Sequence, residues 1–237
     1  QSNTTGGENT AVGYASLYSN TTASNNTALG YYALLSNTTG DHNTAVGRDA
    51  FKDNTTATQG VAVGYRSLTK NTTGVQNTAV GTDCMYNNTT GTRNTALGMM
   101  TLYSNTTAAQ NTALGYQALM LNTTGYDQTA VGHGALDSAT TGYANNAFGV
   151  DCMRSCTTGV NNSAFGYGGL ALLTTGNHNT AVGKNAGDTI TTGNNNILMG
   201  LDADTSSASA DSQIVIGVSL TGKGNSTAFI GGSLGAY

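Results

Sequence analysis

A glycine returns every 17 residues along most of this chain, with no insertion or deletion between successive copies. The stretches 9–25, 26–42 and 43–59 read NTAVGYASLYSNTTASN, NTALGYYALLSNTTGDH and NTAVGRDAFKDNTTATQ. A unit this short cannot bury a core alone, so equal units are expected to stack on one another. The 13 period-defining glycines, which we call the glycine ladder, are Gly13, Gly30, Gly47, Gly64, Gly81, Gly98, Gly115, Gly132, Gly149, Gly166, Gly183, Gly200 and Gly217.

The residues between the glycines favour β-structure over helix. Gly, Asn and paired Thr are poor in helix interiors, whereas β-branched residues between turn formers suit short strands. We therefore predict an all-β parallel β-solenoid (β-roll) of about 13 coils, with two or three short strands per coil. The regular repeat spans residues 1–193. From residue 194 the strands become more hydrophobic and the Thr-Thr corner is lost, so 194–237 is predicted to be a tapering C-terminal end of the solenoid.

Two adjacent apolar columns precede the glycine ladder. The residue two places before each glycine is mostly Ala, and the residue one place before is always larger and apolar, as in Ala28 and Leu29. Neighbouring strand residues point to opposite faces, so we assign Ala to the coil interior (the inner column) and the larger residue to the outside (the outer column). The outer column then needs another surface, most simply further copies of the chain; a wide monomeric coil is the competing account.

The overall composition excludes several classes of function. Only 8% of the 237 residues are charged, the net charge is −4, and there is no Pro or Trp. The 8 Lys and Arg residues are spread along the chain, so no basic patch for nucleic acid is expected. No apolar run reaches transmembrane length.

Cys84, Cys152 and Cys156 are interpreted as buried thiols, with a symmetry-related or Cys152–Cys156 bond as the alternative.

The sequence contains no convincing catalytic or metal-binding pattern. Asp49 and Asp83 share a column two coils apart, about 9.6 Å at the rung spacing of a parallel sheet, which is close to the separation of an inverting glycosidase pair. Nothing else in the sequence converges on them, and a solvated face accounts for them equally well. His42 and His178 share a column eight coils apart. The chain is therefore predicted not to be an enzyme and to carry no metal or cofactor.

Two repeated columns are candidates for ligand binding or modification. An aromatic column follows the glycine ladder and could stack on sugar rings, or simply pack over the coil: Tyr14, Tyr31, Tyr65, Tyr116 and Tyr167. A second column matches the N-x-Thr acceptor pattern, and its alternative is a structural corner: Asn20, Asn37, Asn54, Asn71, Asn88, Asn105 and Asn122. A third column, starting with Asn9, Asn26 and Asn43, is predicted to form a ladder of stacked amides.

The repeats NTAVGYASL, NTALGYYALL and NTALGYQAL, with NTTG between them, resemble those of viral and phage tail-fibre proteins. They are also similar to the head repeats of YadA-like trimeric autotransporter adhesins. The resemblance implies a left-handed, trimeric parallel β-roll with an adhesive or fibre-forming role outside the cell, on a cell surface or virion. Its expected partners are copies of itself and a glycan or protein receptor. The sequence departs from the adhesin pattern in its longer coil and in the absence of a recognisable neck, stalk or membrane anchor.

Two alternatives stay open from the sequence. Nearly uncapped ends indicate either removed flanking domains or head-to-tail stacking, and the second would make the chain a subunit of a polymerising extracellular filament. The repeated Thr-Thr corner favours an ice- or mineral-binding solenoid, although an adjacent pair on a strand would present only one of its two hydroxyls outward.

Overall fold

Residues 2–231 are described in a computed structural model of the chain. They form an all-β parallel β-solenoid of about 13 turns with a 17-residue repeat, and this part of the chain contains no helix. The strands are β1 (Thr10–Val12), β2 (Thr27–Leu29), β3 (Thr44–Val46), β4 (Val61–Val63), β5 (Thr78–Val80), β6 (Thr95–Leu97), β7 (Thr112–Leu114), β8 (Thr129–Val131), β9 (Asn146–Phe148), β10 (Ser163–Phe165), β11 (Thr180–Val182), β12 (Ile197–Met199), β13 (Ile214–Ile216) and β14 (Ala228–Ile230).

The chain divides into two compact units, Gln1–Thr124 and Gly125–Tyr237. The first contains β1–β7 and the second β8–β14. The predicted boundary at residue 194 lies inside the second unit, where β11 and β12 pair in the register of the other coils. Residues 232–237 of the predicted end segment lie outside the described residues.

Within each unit, consecutive strands pair in parallel with a constant shift. Ala28 pairs with Ala11 in one neighbouring strand and with Ala45 in the other, so equivalent positions of the repeat pair in adjacent strands. The shift falls to 14 residues at the last pair, where Val215 lies opposite Phe229. The 17-residue period of the sequence is therefore the residue shift from one strand to the next.

The prediction of two or three strands per coil is wrong. Across residues 2–231, a coil has one three-residue strand, and a single isolated bridge joins Asp204 and Thr221. The rest of the coil bends at residues with left-handed backbone, such as Tyr32 (φ 59°), Leu34 (φ 51°) and His42 (φ 59°). Hydrogen bonds between coils continue through these bends, as from the Leu17 amide to the Ala33 carbonyl at 3.0 Å.

The core combines the inner column with a second column of large residues, four places after each of the first ten ladder glycines (Leu17 to Leu170), which we call the core column. The inner-column alanines from Ala28 onward are buried, as predicted. The core column (Leu34, for example) is also buried, together with its small neighbour Ala33. A small–large pair on a strand would straddle two faces, but both residues face inward here because Leu34 lies in a left-handed bend rather than a strand.

The glycine ladder is required by close contact between coils. Gly30 has a φ of +136°, a region that residues with a side chain rarely adopt. A Cβ atom at this position would also overlap the carbonyl group of Gly47 in the next coil. Both constraints recur at Gly47 and Gly64, which explains why no other residue type occupies this column.

Candidate functional site

The interior contains two columns of hydrogen-bonded asparagines. In the predicted amide ladder, Asn26 Nδ2 donates to Asn9 Oδ1 at 3.2 Å, and the backbone amide of Asn43 donates to Asn26 Oδ1 at 2.9 Å. In unit 2 the ladder continues, with Asn179 Nδ2 donating to Asn162 Oδ1 at 3.1 Å. Most of these side-chain amides meet an identical group one coil away. Where Gly60 interrupts the column, its backbone amide donates to Asn43 Oδ1 at 2.9 Å and Asn77 Nδ2 donates to the Gly91 carbonyl at 2.7 Å, so the buried amides beside the gap are still hydrogen-bonded.

The seven sequon asparagines form the second column, which we call the corner ladder. All seven are buried. Asn54 Nδ2 donates to Asn37 Oδ1 at 2.8 Å and to the Ala57 carbonyl at 3.2 Å. A glycan on one of these nitrogens would have to break the ladder and leave the coil. The structural-corner interpretation therefore accounts for their placement, and glycosylation would have to precede or prevent folding at that coil.

The two threonines of each corner have different roles. The first is half-buried, and its hydroxyl donates to a carbonyl of the next coil, as from Thr38 Oγ1 to Thr55 O at 3.0 Å. The second, such as Thr39, is exposed. The corner thus presents one free hydroxyl column to solvent rather than two.

The outer column faces away from the core in both units. In unit 1, Leu97 is 46% and Leu114 is 41% exposed; in unit 2, Phe148 and Phe165 are exposed and their rings stack with centroids 5.0 Å apart. The strand residue two places earlier, such as Thr95 or Thr112, shares this face. In unit 1 the face is therefore a mostly threonine column beside a continuous apolar column, with rungs about 4.8 Å apart. In unit 2 the first of these columns also holds Asn146, Ser163, Ile197 and Ile214.

The predicted aromatic column is partly covered by its own neighbours. Tyr14 and Tyr31 stack with ring centroids 5.2 Å apart, and the Arg48 guanidinium lies between Tyr31 and Tyr65, 5.6 and 5.9 Å from their centroids. Along this part of the column, ring faces therefore contact a neighbouring ring or a guanidinium, which leaves less ring surface open to a ligand. In unit 2, Tyr167 differs: it is 54% exposed, and no other described ring stacks on it.

The aspartates that suggested a glycosidase pair are engaged in surface ion pairs. Asp49 Oδ2 lies 3.2 Å from Arg48 Nε, and Asp83 Oδ1 lies 3.0 Å from Arg66 Nε. Within residues 2–231 no group of three or more His, Cys, Asp or Glu side chains could hold a metal ion. No helix in this part of the chain is long and apolar enough to cross a membrane.

The three cysteines are free, buried thiols. Burial raises the pKa of Cys84, Cys152 and Cys156 to about 12, so the neutral thiol is the stable form at physiological pH. The Cys84 thiol donates to the Ala96 carbonyl at 3.4 Å, and Cys152 makes the equivalent contact with Ala164. These cysteines act as small core residues, since the thiolate is the reactive form.

Unit 2 contains a cleft of about 370 Å³ that the sequence alone did not predict, at a coil with short side chains. Gly168 and Ala171 are the small residues of that coil, and Tyr167 borders it. The neighbouring coils place longer polar side chains in the same two columns: Asp151 and Arg154 before it, Asn185 and Asp188 after it. The available signal was a small residue with a polar residue one coil before and one coil after it, in two columns of the same coil. This signal is visible only when the 17-residue repeats are aligned.

The electrostatics of this cleft are mixed. Arg154 makes ion pairs with Asp137 at 3.6 Å and with Asp151 at 3.7 Å. Asp151 Oδ1 is buried and has no hydrogen-bond partner. Burial, and next the carboxylate of Asp204, raise the pKa of Asp188. Polar groups with unused hydrogen-bonding capacity thus surround an exposed aromatic ring.

No known family model matches the chain, and no curated protein is significantly similar to it in sequence.

Proposed function

We propose that this chain is a structural and adhesive segment of an extracellular fibre, such as a tail-fibre shaft or an adhesin head, that mediates attachment at a cell surface or virion. Its first partner is itself, as a homotrimer of left-handed coils, and its second is a glycan or protein receptor. The proposal assigns the chain no catalytic step and no cofactor. The observation that carries it is the exposed outer column.

Single exposed apolar residues are common on protein surfaces, but continuous apolar patches mark interaction sites. The outer column places an apolar side chain at every rung of the sheet in each unit, with no charged residue among them. Contact between the outer columns of several copies would remove this surface from water, at about 25 cal/mol per Å² of apolar area. Because the rungs are regular, each coil would add a similar small stabilising free energy along the assembly.

The interior of the coil also favours a structural role. Its polar atoms pair with copies of themselves one coil away, and its thiols are protonated, so the core offers rigidity rather than reactive groups. The surface aspartates that sequence spacing singled out are paired with arginines. A scaffold of this kind suits a stalk or head that holds binding surfaces at fixed spacing.

The experiment is native mass measurement of the wild-type chain and of two variants. The double variant Leu97→Lys/Leu114→Lys places two charges in the outer column of unit 1, and Thr107→Lys places one on an exposed corner of the same unit. We expect the wild type and Thr107→Lys to have three times the 23.9 kDa chain mass, and the double variant to dissociate to monomer with unchanged circular dichroism. A monomeric wild type would refute the proposal.

The same measurement decides the filament alternative. A subunit that polymerises head to tail would grow beyond a trimer as its concentration rises, and fibres would be visible by electron microscopy. The ice- or mineral-binding alternative gains no support from the corner, which exposes one hydroxyl column rather than two. Thermal hysteresis of a chilled solution would reinstate it.

A further inference from the structure

We propose that the cleft around Tyr167 binds a neutral saccharide, with one pyranose ring stacked on the tyrosine and its hydroxyls hydrogen-bonded to Arg154 and Asp151. The inference gives a ligand class to the attachment role proposed above and rests on that role for its biological meaning. The site lies entirely within unit 2.

The first argument is the free ring of Tyr167. Four other aromatic side chains of unit 2 are paired: the rings of Tyr126 and Tyr143 stack at 4.8 Å and 3°, and Phe148 stacks on Phe165. The ring of Phe229 is covered by the Lys223 ammonium, 4.4 Å from its centroid. Tyr167 has only the Lys184 ammonium near its ring, 6.0 Å from the centroid. An exposed aromatic face with a polar rim suits a ligand that is apolar on one side and hydroxylated at its edge, as a sugar ring is.

The second argument is the arrangement of hydrogen-bonding groups around the ring. Arg154 contacts carboxylates only at ion-pair distances of 3.6 and 3.7 Å, so its guanidinium keeps donors for a ligand. Asp151 Oδ1 is buried beside His133 Nδ1 (3.9 Å) and Arg154 Nη1 (3.7 Å), so the second oxygen of this carboxylate is the acceptor for a sugar hydroxyl, and the Asp151 side chain is 26% exposed where it lines the cleft. The rim of the cleft therefore offers both hydrogen-bond donors and acceptors, and a sugar hydroxyl group can accept from the first and donate to the second.

The third argument is the shape of the cleft, which depends on one coil being narrow. Gly168 has a left-handed backbone (φ +63°), and a Cβ there would lie 2.8 Å from Asn185 Oδ1. Ala171 stands where the flanking coils carry Arg154 and Asp188. The resulting notch is about two rungs, or roughly 10 Å, wide. Its volume of about 370 Å³ lies within the range of small-ligand sites.

The charges select a neutral ligand over an acidic one. The carboxylates of Asp137 and Asp151 both face the single guanidinium of Arg154, and Asp188 adds a third on the opposite wall. The Lys184 ammonium, 6.0 Å from the centre of the Tyr167 ring, is the second cation, so three carboxylates stand against two cations. An anionic sugar would meet this excess of negative charge, whereas hydroxyls can donate to it. The carboxylates therefore act as hydroxyl acceptors in the proposed complex.

The test is binding of methyl pyranosides to the full chain, measured by saturation-transfer NMR and titration. The probes are the methyl glycosides of glucose, mannose and galactose, with methyl glucuronide as the acidic comparison. The variants Tyr167→Ala and Ala171→Leu remove the ring and fill the notch, respectively. Tyr126→Ala removes a stacked ring elsewhere in unit 2 and is the matched control. Circular dichroism of each variant establishes that the coils stay folded.

We expect at least one neutral glycoside to bind saturably, and its Kd to rise about tenfold or more in Tyr167→Ala and in Ala171→Leu. The Kd should change less than about twofold in Tyr126→Ala. No binding at concentrations on the order of 10 mM, binding of the glucuronide alone, or equal affinity in all three variants would overturn the inference. Native mass of the same samples keeps this outcome separate from the fibre proposal, since an intact trimer without sugar binding refutes only the cleft.

Discussion

At the scale of single residues, the coil is shaped by left-handed bends that restrict which side chains can occupy them. Three columns carry positive φ in non-glycine residues, represented by Tyr32, Leu34 and His42. No residue with positive φ in these columns is Val, Ile or Thr, and Thr221, which occupies the Leu34 column near the C-terminal end, does not have positive φ. A β-branched side chain at positive φ is strongly disfavoured, so their absence is the sequence signature of the bends. The same constraint explains the Asp column that suggested catalysis, since Asp tolerates this backbone.

Leu170→Ile tests this constraint directly. Leu170 is buried with a φ of +51°, whereas Leu173, in the same coil, is equally buried but has no positive φ. Exchange of Leu for Ile costs less than about 1.5 kcal/mol where only packing changes. Backbone strain should add about 1–3 kcal/mol at Leu170 alone.

Urea unfolding followed by circular dichroism measures both variants. Leu173→Ile is the matched control, and Ile190 already occupies its column one coil further on. Equal destabilisation of the two variants would mean that the bends do not select against β-branched residues.

At the scale of one coil, stability comes from columns of identical polar groups as much as from apolar burial. Asn88 shows the arrangement: its Nδ2 donates to Asn71 Oδ1 and its Oδ1 accepts from Asn105 Nδ2, both at 2.6 Å. From Ala139 onward the same column becomes apolar, with Cys156, Leu173 and Ile190 buried. The corner column is therefore all amide from Asn20 to Asn122 and apolar from Ala139 to Ile190, and an apolar residue within the amide run would leave buried amides unpaired.

Asn88→Ala should consequently destabilise unit 1 by about 2–4 kcal/mol, because the amides of Asn71 and Asn105 each lose a partner. The adjacent Asn87→Ala changes a side chain whose printed contact is an exposed hydrogen bond from Lys70 Nζ at 2.9 Å. That control should change stability by less than about 0.5 kcal/mol. Thermal and urea unfolding provide the measurement. A loss at Asn88 no greater than at Asn87 would contradict the ladder's role.

The sequence predicted those features of the coil that depend on period alone. The 17-residue shift, the parallel solenoid, the buried inner column and the stacked amides starting at Asn9 all follow from like residues meeting at each rung. Strand number per coil and the inward direction of Leu34 depend on backbone dihedrals, which the repeat does not reveal until left-handed bends are considered. The cleft at Tyr167 depends on departures from the repeat, where Gly168 and Ala171 replace longer residues.

At the scale of the whole molecule, the account depends on what covers the outer column. A coil with this composition keeps its own core apolar or fully hydrogen-bonded, and still presents Val, Leu, Phe or Met to solvent along each unit. We propose that other copies of the chain cover that surface, as the fibre proposal requires. The saccharide cleft lies on different columns, so assembly and ligand binding can be measured independently.

Electron cryo-microscopy of the full chain at micromolar concentration tests this claim most directly. The account predicts particles of three copies whose outer columns face one another, with density rungs about 4.8 Å apart. Residues such as Leu97, Leu114 and Phe165 would then lie at the contact between copies. Solitary chains with the outer column in contact with solvent would contradict it.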